Sequence, residues 1–238
     1  MKPFENGLYL KRLRQAIDQF KLIDDGDRIL VGVSGGKDST LLFHGLTQLS
    51  KLRDYDFTVT GLTVNHGMLG NLDEYVGYCK SNGLDLMVHH EDYAKNLSHD
   101  NTHSPCYTCS RLRKGIVKRI AIDKGYNKIA YGHTKDDVVE TFLMNIIKHG
   151  KIAGIPAISK DPLSNLLLVR PLVLIDEKTI IKAVDLLGFP LMKDLCQFAK
   201  GRIRQDAETL IGQIELTHPE FSDKVIQALQ NVDTNRLI

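Results

Sequence analysis

Two glycines and several hydroxyl side chains cluster in a short stretch that could bind a phosphate group. The stretch is Ser34-Gly35-Gly36-Lys37-Asp38-Ser39-Thr40. It follows an apolar, strand-like run and leads into a helical pattern. Adjacent glycines allow a sharp turn that brings backbone N–H groups close to a ligand, and the first N–H groups of the following helix favour an anion at the same place. The sequence therefore predicts a phosphate-binding loop between a strand and a helix.

The spacing of this loop excludes two common nucleotide-binding motifs. It lacks the Gly-x-x-x-x-Gly-Lys-[Ser/Thr] pattern of the Walker A loop, and Gly32, Gly35 and Gly36 do not fit Gly-x-Gly-x-x-Gly. The six residues from Ser34 to Ser39 are similar to the PP-loop signature of the ATP pyrophosphatase superfamily. That resemblance implies that ATP is cleaved between its α- and β-phosphates and that AMP is transferred to a substrate.

The cysteines suggest a second chemical site. There are four: Cys79, Cys106, Cys109 and Cys196. Cys79 falls in a helical pattern and is interpreted as a core residue. Cys106 and Cys109 form a Cys-x-x-Cys pair, which we expect on a turn just before a helix. The helix N-terminus and nearby cationic side chains would stabilise their thiolates; these cations are Arg111, Arg113 and Lys114.

Three kinds of site use such a cysteine pair. A thioredoxin-like redox pair is disfavoured, because this motif follows a polar loop and lies far from the chain start. A structural zinc site needs four ligands, so Cys196 and His103 would have to complete it. A [4Fe–4S] cluster can be held by three cysteines, with one iron left open, and Cys196 would be the third. Spacing alone leaves zinc and the cluster equally supported.

Strand-like and helical segments alternate along the chain at the spacing of βα units. Strands are predicted at 28–34, 57–65, 84–90, 127–131 and 166–170, and segments 151–162 and 189–200 are predicted to be irregular. We predict an α/β fold with a doubly wound parallel sheet and with flanking N- and C-terminal helices. The carboxyl ends of parallel strands share one edge, so the phosphate loop, Asn65-His66 and residues 132–137 should meet there.

The same patterns suggest how the chain is divided. We expect an N-terminal helix at 1–24, an ATP-binding α/β domain at 25–190 and a C-terminal helical segment at 191–238 that carries the third cysteine.

Composition favours a cytoplasmic protein. The 238 residues are 42% hydrophobic and 25% charged, with a net charge of +2, so any nucleic-acid binding must come from local patches. Because the first residues lack an apolar core and no apolar run is long enough to span a membrane, we expect neither a signal peptide nor a membrane partner.

Several motifs together resemble the tRNA 2-thiocytidine synthetase family of PP-loop proteins. The matching segments, in chain order, are Ser34-Gly35-Gly36-Lys37-Asp38-Ser39, Cys106-x-x-Cys109-Ser110-Arg111-Leu112-Arg113, Gly132-His133-x-x-Asp136-Asp137, Val169-Arg170-Pro171-Leu172 and Leu195-Cys196. The similarity covers nearly the whole chain. It implies that Cys106, Cys109 and Cys196 bind a [4Fe–4S] cluster. This chain departs from the family pattern in having one distal cysteine where the family often has two, and in having Thr134-Lys135 between His133 and Asp136.

The resemblance also implies a reaction and roles for the site residues. Members of the family adenylate the C2 oxygen of an anticodon-loop cytidine, and sulfur then replaces that oxygen. The residues expected to bind ATP are Ser34, Gly35, Gly36, Lys37, Asp38, Ser39, Asn65, Gly132, His133, Asp136 and Asp137. Those expected to act in catalysis are Asp38, Asp137, Arg113, Cys106 and Cys109. The carboxylates would face Mg²⁺, although Asp136 and Asp137 could simply cap a helix.

Two routes for sulfur remain open. It could arrive at the open iron of the cluster or as a persulfide on Cys106 or Cys109. Arg113, one helical turn after Cys109, could stabilise the developing anion or contact a phosphate of the RNA.

The expected partners are tRNA, a sulfur donor (a cysteine desulfurase or sulfide) and, in one arrangement, a second copy of the chain. Phosphate contacts could come from Arg111, Arg113, Lys114, Lys118, Arg119, Lys148, Lys151, Arg202 and Arg204. Related chemistry on a tRNA uridine or on a small molecule is an alternative. The chain lacks the extra Cys-x-x-Cys motifs of cluster-dependent uridine 2-thiolases, and a lysidine synthetase would not need the cysteines. A non-enzymatic nucleotide- or cluster-binding module is more remote.

Overall fold

A six-stranded, mostly parallel β-sheet forms the centre of the protein. The structure is a computed structural model that describes residues 6–52, 54, 56–93, 105–195, 205–233 and 235. The strands in chain order are β1 (Asp27–Gly32), β2 (Phe57–Asn65), β3 (Leu69–Gly70), β4 (Leu86–His90), β5 (Lys128–Ala130), β6 (Ile158–Lys160), β7 (Leu167–Val169) and β8 (Lys193–Asp194). The large sheet has the order β4-β2-β1-β5-β7-β6, and every neighbouring pair is parallel except β6 with β7.

Helices cover both faces of this sheet. They are α1 (Lys11–Phe20), α2 (Lys37–Leu49), α3 (Leu72–Ser81), α4 (Pro105–Asp123), α5 (Lys135–His149), α6 (Glu177–Leu187), α7 (Gln205–Thr217) and α8 (Phe221–Gln230). A short π-helical turn, Asn6–Leu10, precedes α1. No helix in the described part of the chain is both long and apolar enough to cross a membrane.

Alternation along β1 divides the core into two layers. Ile29 and Val31 belong to a large apolar cluster with side chains from α1, α2 and α6. Leu30 points the other way, into a second cluster that includes Ile116 and Val117 of α4. Because successive side chains of a strand face opposite sides, a strand buried on both faces reads as a continuous apolar run. The predicted doubly wound α/β sheet with flanking helices is confirmed in this form, with one antiparallel edge strand.

The order of the strands places a crevice beside β1. The chain runs from β1 outward through β2 to β4 and then returns to β5 on the other side of β1. The strand order therefore reverses between β1 and β5. In open α/β sheets, ligands bind at the carboxyl ends of the strands at this kind of reversal.

Three local predictions were wrong. Segment 151–162 contains strand β6, which pairs antiparallel with β7; its Gly and Pro residues hid a three-residue edge strand. Segment 189–200 contains β8, which pairs with β3 in a separate two-stranded sheet. Strands of two residues carry no readable alternation. Cys106 and Cys109 lie within the first turns of α4, which begins at Pro105, and not on a turn before it.

Candidate functional site

The loop between β1 and α2 is organised by its own hydroxyl groups. The backbone N–H of Ser34 donates to Ser39 Oγ over 3.1 Å, and the Oγ atoms of the two serines lie 3.0 Å apart. Ser39 Oγ also donates to the Gly36 carbonyl oxygen over 3.2 Å. Gly36 is the N-cap of α2 and has no side chain to cap the helix. The first N–H groups of α2 therefore face the loop without a side-chain cap, which suits an anionic ligand.

Gly35 is required by a close contact with the chain near β8. Its φ of +85° lies in the left-handed region, which costs glycine least. A Cβ at this position would lie 2.5 Å from Met192 Cβ. The Gly35 carbonyl oxygen accepts a hydrogen bond from the Met192 N–H over 3.0 Å. The segment around Met192 thus packs against the phosphate loop and is hydrogen-bonded to its backbone.

Lys37 is held by two carboxylates. Its Nζ lies 2.8 Å from Glu177 Oε1 of α6 and 3.2 Å from Asp38 Oδ2. Burial lowers the pKa of Lys37, but these two carboxylates outweigh it and keep the pKa above its ordinary value. The ammonium group is therefore anchored and charged beside the loop.

Asp38 has the properties of a cation ligand. Its Oδ1 atom is buried and has no hydrogen-bond partner among the described residues. Burial raises the pKa of Asp38, with further raising from Asp137 and Glu177, against the opposing effect of Lys37. Carboxylates gathered in this way repel one another, and a divalent cation or a donor group would relieve that repulsion.

A cavity of about 200 Å³ opens at the crevice between β1 and β5. Its wall brings together distant parts of the chain: Gly32, Val33, Ser34, Asp38, Ser39, Leu62, Val64, Arg113, Lys114, Val117, Tyr131, Gly132 and His133. Gly132 packs against the start of α2, where an added Cβ would lie 3.0 Å from the Ser39 backbone nitrogen. The predicted loop residues and residues 132–133 therefore do meet at one edge of the sheet.

Three predicted ligand residues are engaged in local structure. Asn65 ends β2 and does not line this cavity; its Oδ1 accepts from the Gly67 N–H over 3.0 Å. Asp136 Oδ2 accepts from the Glu177 N–H over 2.7 Å, and burial raises its pKa. Asp137 forms a reciprocal capping box with Thr134 at the start of α5. At least one carboxylate oxygen of Asp136 and of Asp137 is therefore used in a hydrogen bond to the backbone N–H at the start of a helix or just before it.

Two polar side chains approach the sulfur of Cys109. Arg113 Nη2 lies 3.7 Å from Cys109 Sγ, one helical turn away, and Tyr93 Oη lies 3.8 Å from the same atom. Burial raises the pKa of Tyr93 to about 12, with further raising from Cys109. Cys109 is half-buried, whereas Cys106 is exposed, and both are thiols and not halves of a disulfide. Cys196 lies outside the described residues.

The basic side chains of α4 differ in what they contact. Lys118 forms an ion pair with buried Asp161, and Arg119 with Glu91 over 2.9 Å. Arg111 and Lys114 are exposed, and the Arg111 guanidinium lies 5.7 Å from the Tyr107 ring centroid. Lys148 and Lys151 are exposed at the far end of α5, and Arg202 and Arg204 lie outside the described residues.

Besides the apolar residues of the cavity wall, four side chains that contact the site were not predicted from the sequence. Glu177 and Met192 contact the phosphate loop, Tyr93 contacts Cys109, and Tyr131 lines the cavity. All four are distant in sequence from the residues they contact. A helix-initiating glutamate or a lone methionine carries no local pattern that could have revealed them.

Comparison with known proteins identifies the family. The profile of the PP-loop domain family matches residues 9–205. A tRNA-cytidine(32) 2-sulfurtransferase of Chromobacterium violaceum is 33% identical, with 98% of this chain and 76% of that protein covered. The tRNA-cytidine(32) 2-sulfurtransferase 1 of Francisella tularensis subsp. novicida is 30% identical, with 96% and 87% covered.

Solved structures share the fold. The U34-tRNA thiolase NcsA from Methanococcus maripaludis, solved with its [4Fe–4S] cluster, superposes with a TM-score of 0.76 at 22% identity, covering 96% of this chain and 81% of that chain. An NH3-dependent NAD synthetase from Campylobacter jejuni superposes with a TM-score of 0.52 at 15% identity, covering 97% and 93%. The chain therefore belongs to the PP-loop family and, within it, to the family of the tRNA-cytidine(32) 2-sulfurtransferases.

Proposed function

We propose that this protein is an ATP-dependent tRNA thiolase that converts a cytidine of the anticodon loop to 2-thiocytidine. One observation carries the proposal: Arg113 lines the cavity of the phosphate loop, and its guanidinium lies 3.7 Å from Cys109 Sγ. The proposed activating site and the proposed sulfur site would therefore have Arg113 in common. The names of the curated relatives supply the substrate and the position of the modified base.

The phosphate loop would activate the base. The C2 oxygen of the cytidine attacks the α-phosphorus of ATP, a new O–P bond forms, and the bond to the pyrophosphate leaving group breaks. The backbone N–H groups at the start of α2 and the hydroxyl of Ser34 would donate hydrogen bonds to phosphate oxygens, while Ser39 orders the loop through its bonds to Ser34 and Gly36. Lys37, anchored by Glu177, adds positive charge. AMP then leaves with the oxygen when sulfur bonds to C2.

Asp38 would hold Mg²⁺. Its buried Oδ1 without a partner among the described residues, next to Asp137 and Glu177, suits a hard cation. When bound, Mg²⁺ would neutralise charge on the phosphate oxygens. Because Mg²⁺ keeps several waters and phosphate oxygens as ligands, one or two carboxylates are enough.

Cys106 and Cys109 would hold a [4Fe–4S] cluster together with Cys196. Thiolates are the usual ligands of such clusters, and Cys109 Sγ already faces two hydrogen-bond donors. The cluster, when bound, would supply an iron site for a sulfur atom. Arg113 would stabilise negative charge that develops between this sulfur and the activated base.

The domain division at residues 24 and 190 and the remaining partners are also part of the proposal. The tRNA would bind along the exposed cations of α4, Arg111 and Lys114, of which Lys114 lines the cavity. A cysteine desulfurase or free sulfide would deliver the sulfur, and two copies of the chain could share one tRNA. The proposed location is the cytoplasm, where tRNA is modified.

Anaerobic purification followed by assays of iron, zinc and acid-labile sulfide tests the cluster. We expect about four irons per chain in the wild type. Cys109→Ser should lose most of this iron, whereas Cys79→Ala should retain it because Cys79 is only 1% exposed, in the core. Stoichiometric zinc without iron would contradict the cluster.

The reaction is tested by incubating the protein with ATP, Mg²⁺, sulfide and tRNA that lacks thiolated bases. We expect 2-thiocytidine in the digested tRNA, and we expect Asp38→Asn to reduce it by at least about 100-fold, as for loss of a group that stabilises charge in the transition state. Formation of 2-thiouridine alone would assign the chain to uridine thiolation.

A further inference from the structure

The sulfur of Cys109 lies between two side chains from different parts of the fold. Arg113 approaches from the same helix, with Nη2 at 3.7 Å, and Tyr93 approaches from the segment after β4, with Oη at 3.8 Å. Both distances are within the range of hydrogen bonds to sulfur, which are longer than those to oxygen. Cys106, the other member of the pair, is exposed to solvent. The two cysteines are therefore not equivalent.

The position of Tyr93 is set by the core. Its ring packs against the apolar cluster between the sheet and α4, and it contacts the His66 ring at 5.9 Å between centroids. His66 is buried, at 1% exposure. A ring held in this way has little freedom, so its hydroxyl group stays directed at the sulfur.

We propose that Tyr93 is a positioning residue that donates a hydrogen bond to Cys109 Sγ and, with Arg113, sets the orientation of this sulfur and the reduction potential of the cluster. The inference rests on the proposed function, because it concerns the cluster that Cys109 would help to hold. A hydrogen bond to a thiolate ligand withdraws negative charge from it. The reduced cluster is the more negative state, so such a bond stabilises it more and raises the potential.

Tyr93→Phe tests this with the loss of one oxygen atom, and Tyr126→Phe is the matched control. Tyr126 packs against the same apolar cluster but lies beside Arg28 at the opposite end of β1. In the anaerobically purified protein we expect Tyr93→Phe to keep its iron and to lower the midpoint potential. The ratio of reduced to oxidised cluster at a fixed potential should fall by up to about tenfold, which is about 59 mV for a one-electron couple. Tyr126→Phe should match the wild type.

If Tyr93→Phe keeps its full iron content and its midpoint potential is unchanged, the role of Tyr93 is refuted but the proposed cluster is not. If the wild type contains no iron, the proposed cluster itself is refuted. If Tyr93→Phe does not retain iron, its potential cannot be measured, and a spectroscopic measurement on a protein that retains Tyr93, with its cluster reduced, tests the hydrogen bond instead. Pulsed electron–nuclear double resonance on the wild type and on Arg113→Leu, in H₂O and D₂O, should detect an exchangeable side-chain proton near the cluster that persists when the Arg113 guanidinium is removed. Its absence would refute the hydrogen bond from Tyr93.

Discussion

Gly35→Ala should destabilise the protein strongly because two effects act at the same position. The left-handed φ of +85° costs about 1–2 kcal/mol for a residue with a Cβ. The new methyl group would also lie 2.5 Å from Met192 Cβ, and overpacking of this kind costs about 1–3 kcal/mol. Together they predict a loss of about 2–5 kcal/mol in the free energy of unfolding. For a chain of this size the melting temperature should fall by roughly 4–20 °C.

Thermal unfolding of four proteins separates the two effects: the wild type, Gly35→Ala, Met192→Gly and the double variant. Met192→Gly removes all the overlapping atoms, Cβ included, but leaves the backbone strain at position 35. The double variant should therefore be more stable than the sum of the single changes by about 1–3 kcal/mol. Additive changes would refute the contact between the loop and Met192.

Gly77→Ala is the matched control for Gly35→Ala. Gly77 lies inside α3, and an added Cβ would meet no atom within 4 Å. Alanine favours a helix interior over glycine by about 0.5–1 kcal/mol. This variant should melt at or above the wild-type temperature, and a large loss there would show that any Gly→Ala change is poorly tolerated.

Two further changes test features away from the cavity. Lys128→Ala should cost about 3–5 kcal/mol in urea unfolding, because Lys128 is 1% exposed and lies 2.6 Å from buried Asp27. Asp27 would keep its hydrogen bonds from Asn127 and Asp24 but would lose this cationic partner. Exposed Lys124→Ala should stay within about 0.5 kcal/mol of the wild type. Asp176→Ala should cost about 1 kcal/mol near neutral pH through loss of the N-cap to Thr179. Burial raises the pKa of Asp176, but hydrogen bonds outweigh it and lower the pKa. The carboxylate's contribution is therefore complete above about pH 3.9 and is lost as the pH falls through the lower folded-state pKa. The difference in unfolding free energy between Asp176→Ala and the wild type should therefore become smaller as the pH falls through that pKa. A difference that becomes larger on acidification would contradict this explanation.

The sequence was most informative for features that are formed by residues close together in the chain. The phosphate loop needs a strand, a glycine turn and a helix N-terminus in immediate succession, so Ser34, Gly35 and Gly36 were identifiable from their order alone. The α/β fold followed from alternating apolar runs and helical patterns for the same reason. Very short strands such as β3, β6 and β8 were missed because two or three residues carry no measurable period.

Long-range contacts decided how the loop and the cysteines are arranged. The sequence placed Lys37 in the loop, but only the packing of α6 brings Glu177 to its ammonium group. Asn65 does end a strand as predicted, yet its side chain bonds Gly67 and does not line the cavity. These outcomes depend on how whole elements dock, which no local spacing specifies.

By itself, the sequence determined the chemical groups that are present: a phosphate loop, a cysteine pair and a basic helix that follows it. The tertiary structure decided which of them meet. Arg113 reaches both the cavity and Cys109 because α4 packs against β2 and β5. Backbone turns and helix ends form from neighbouring residues. A residue can contact two sites from distant parts of the chain only after the core has packed and brought those parts together.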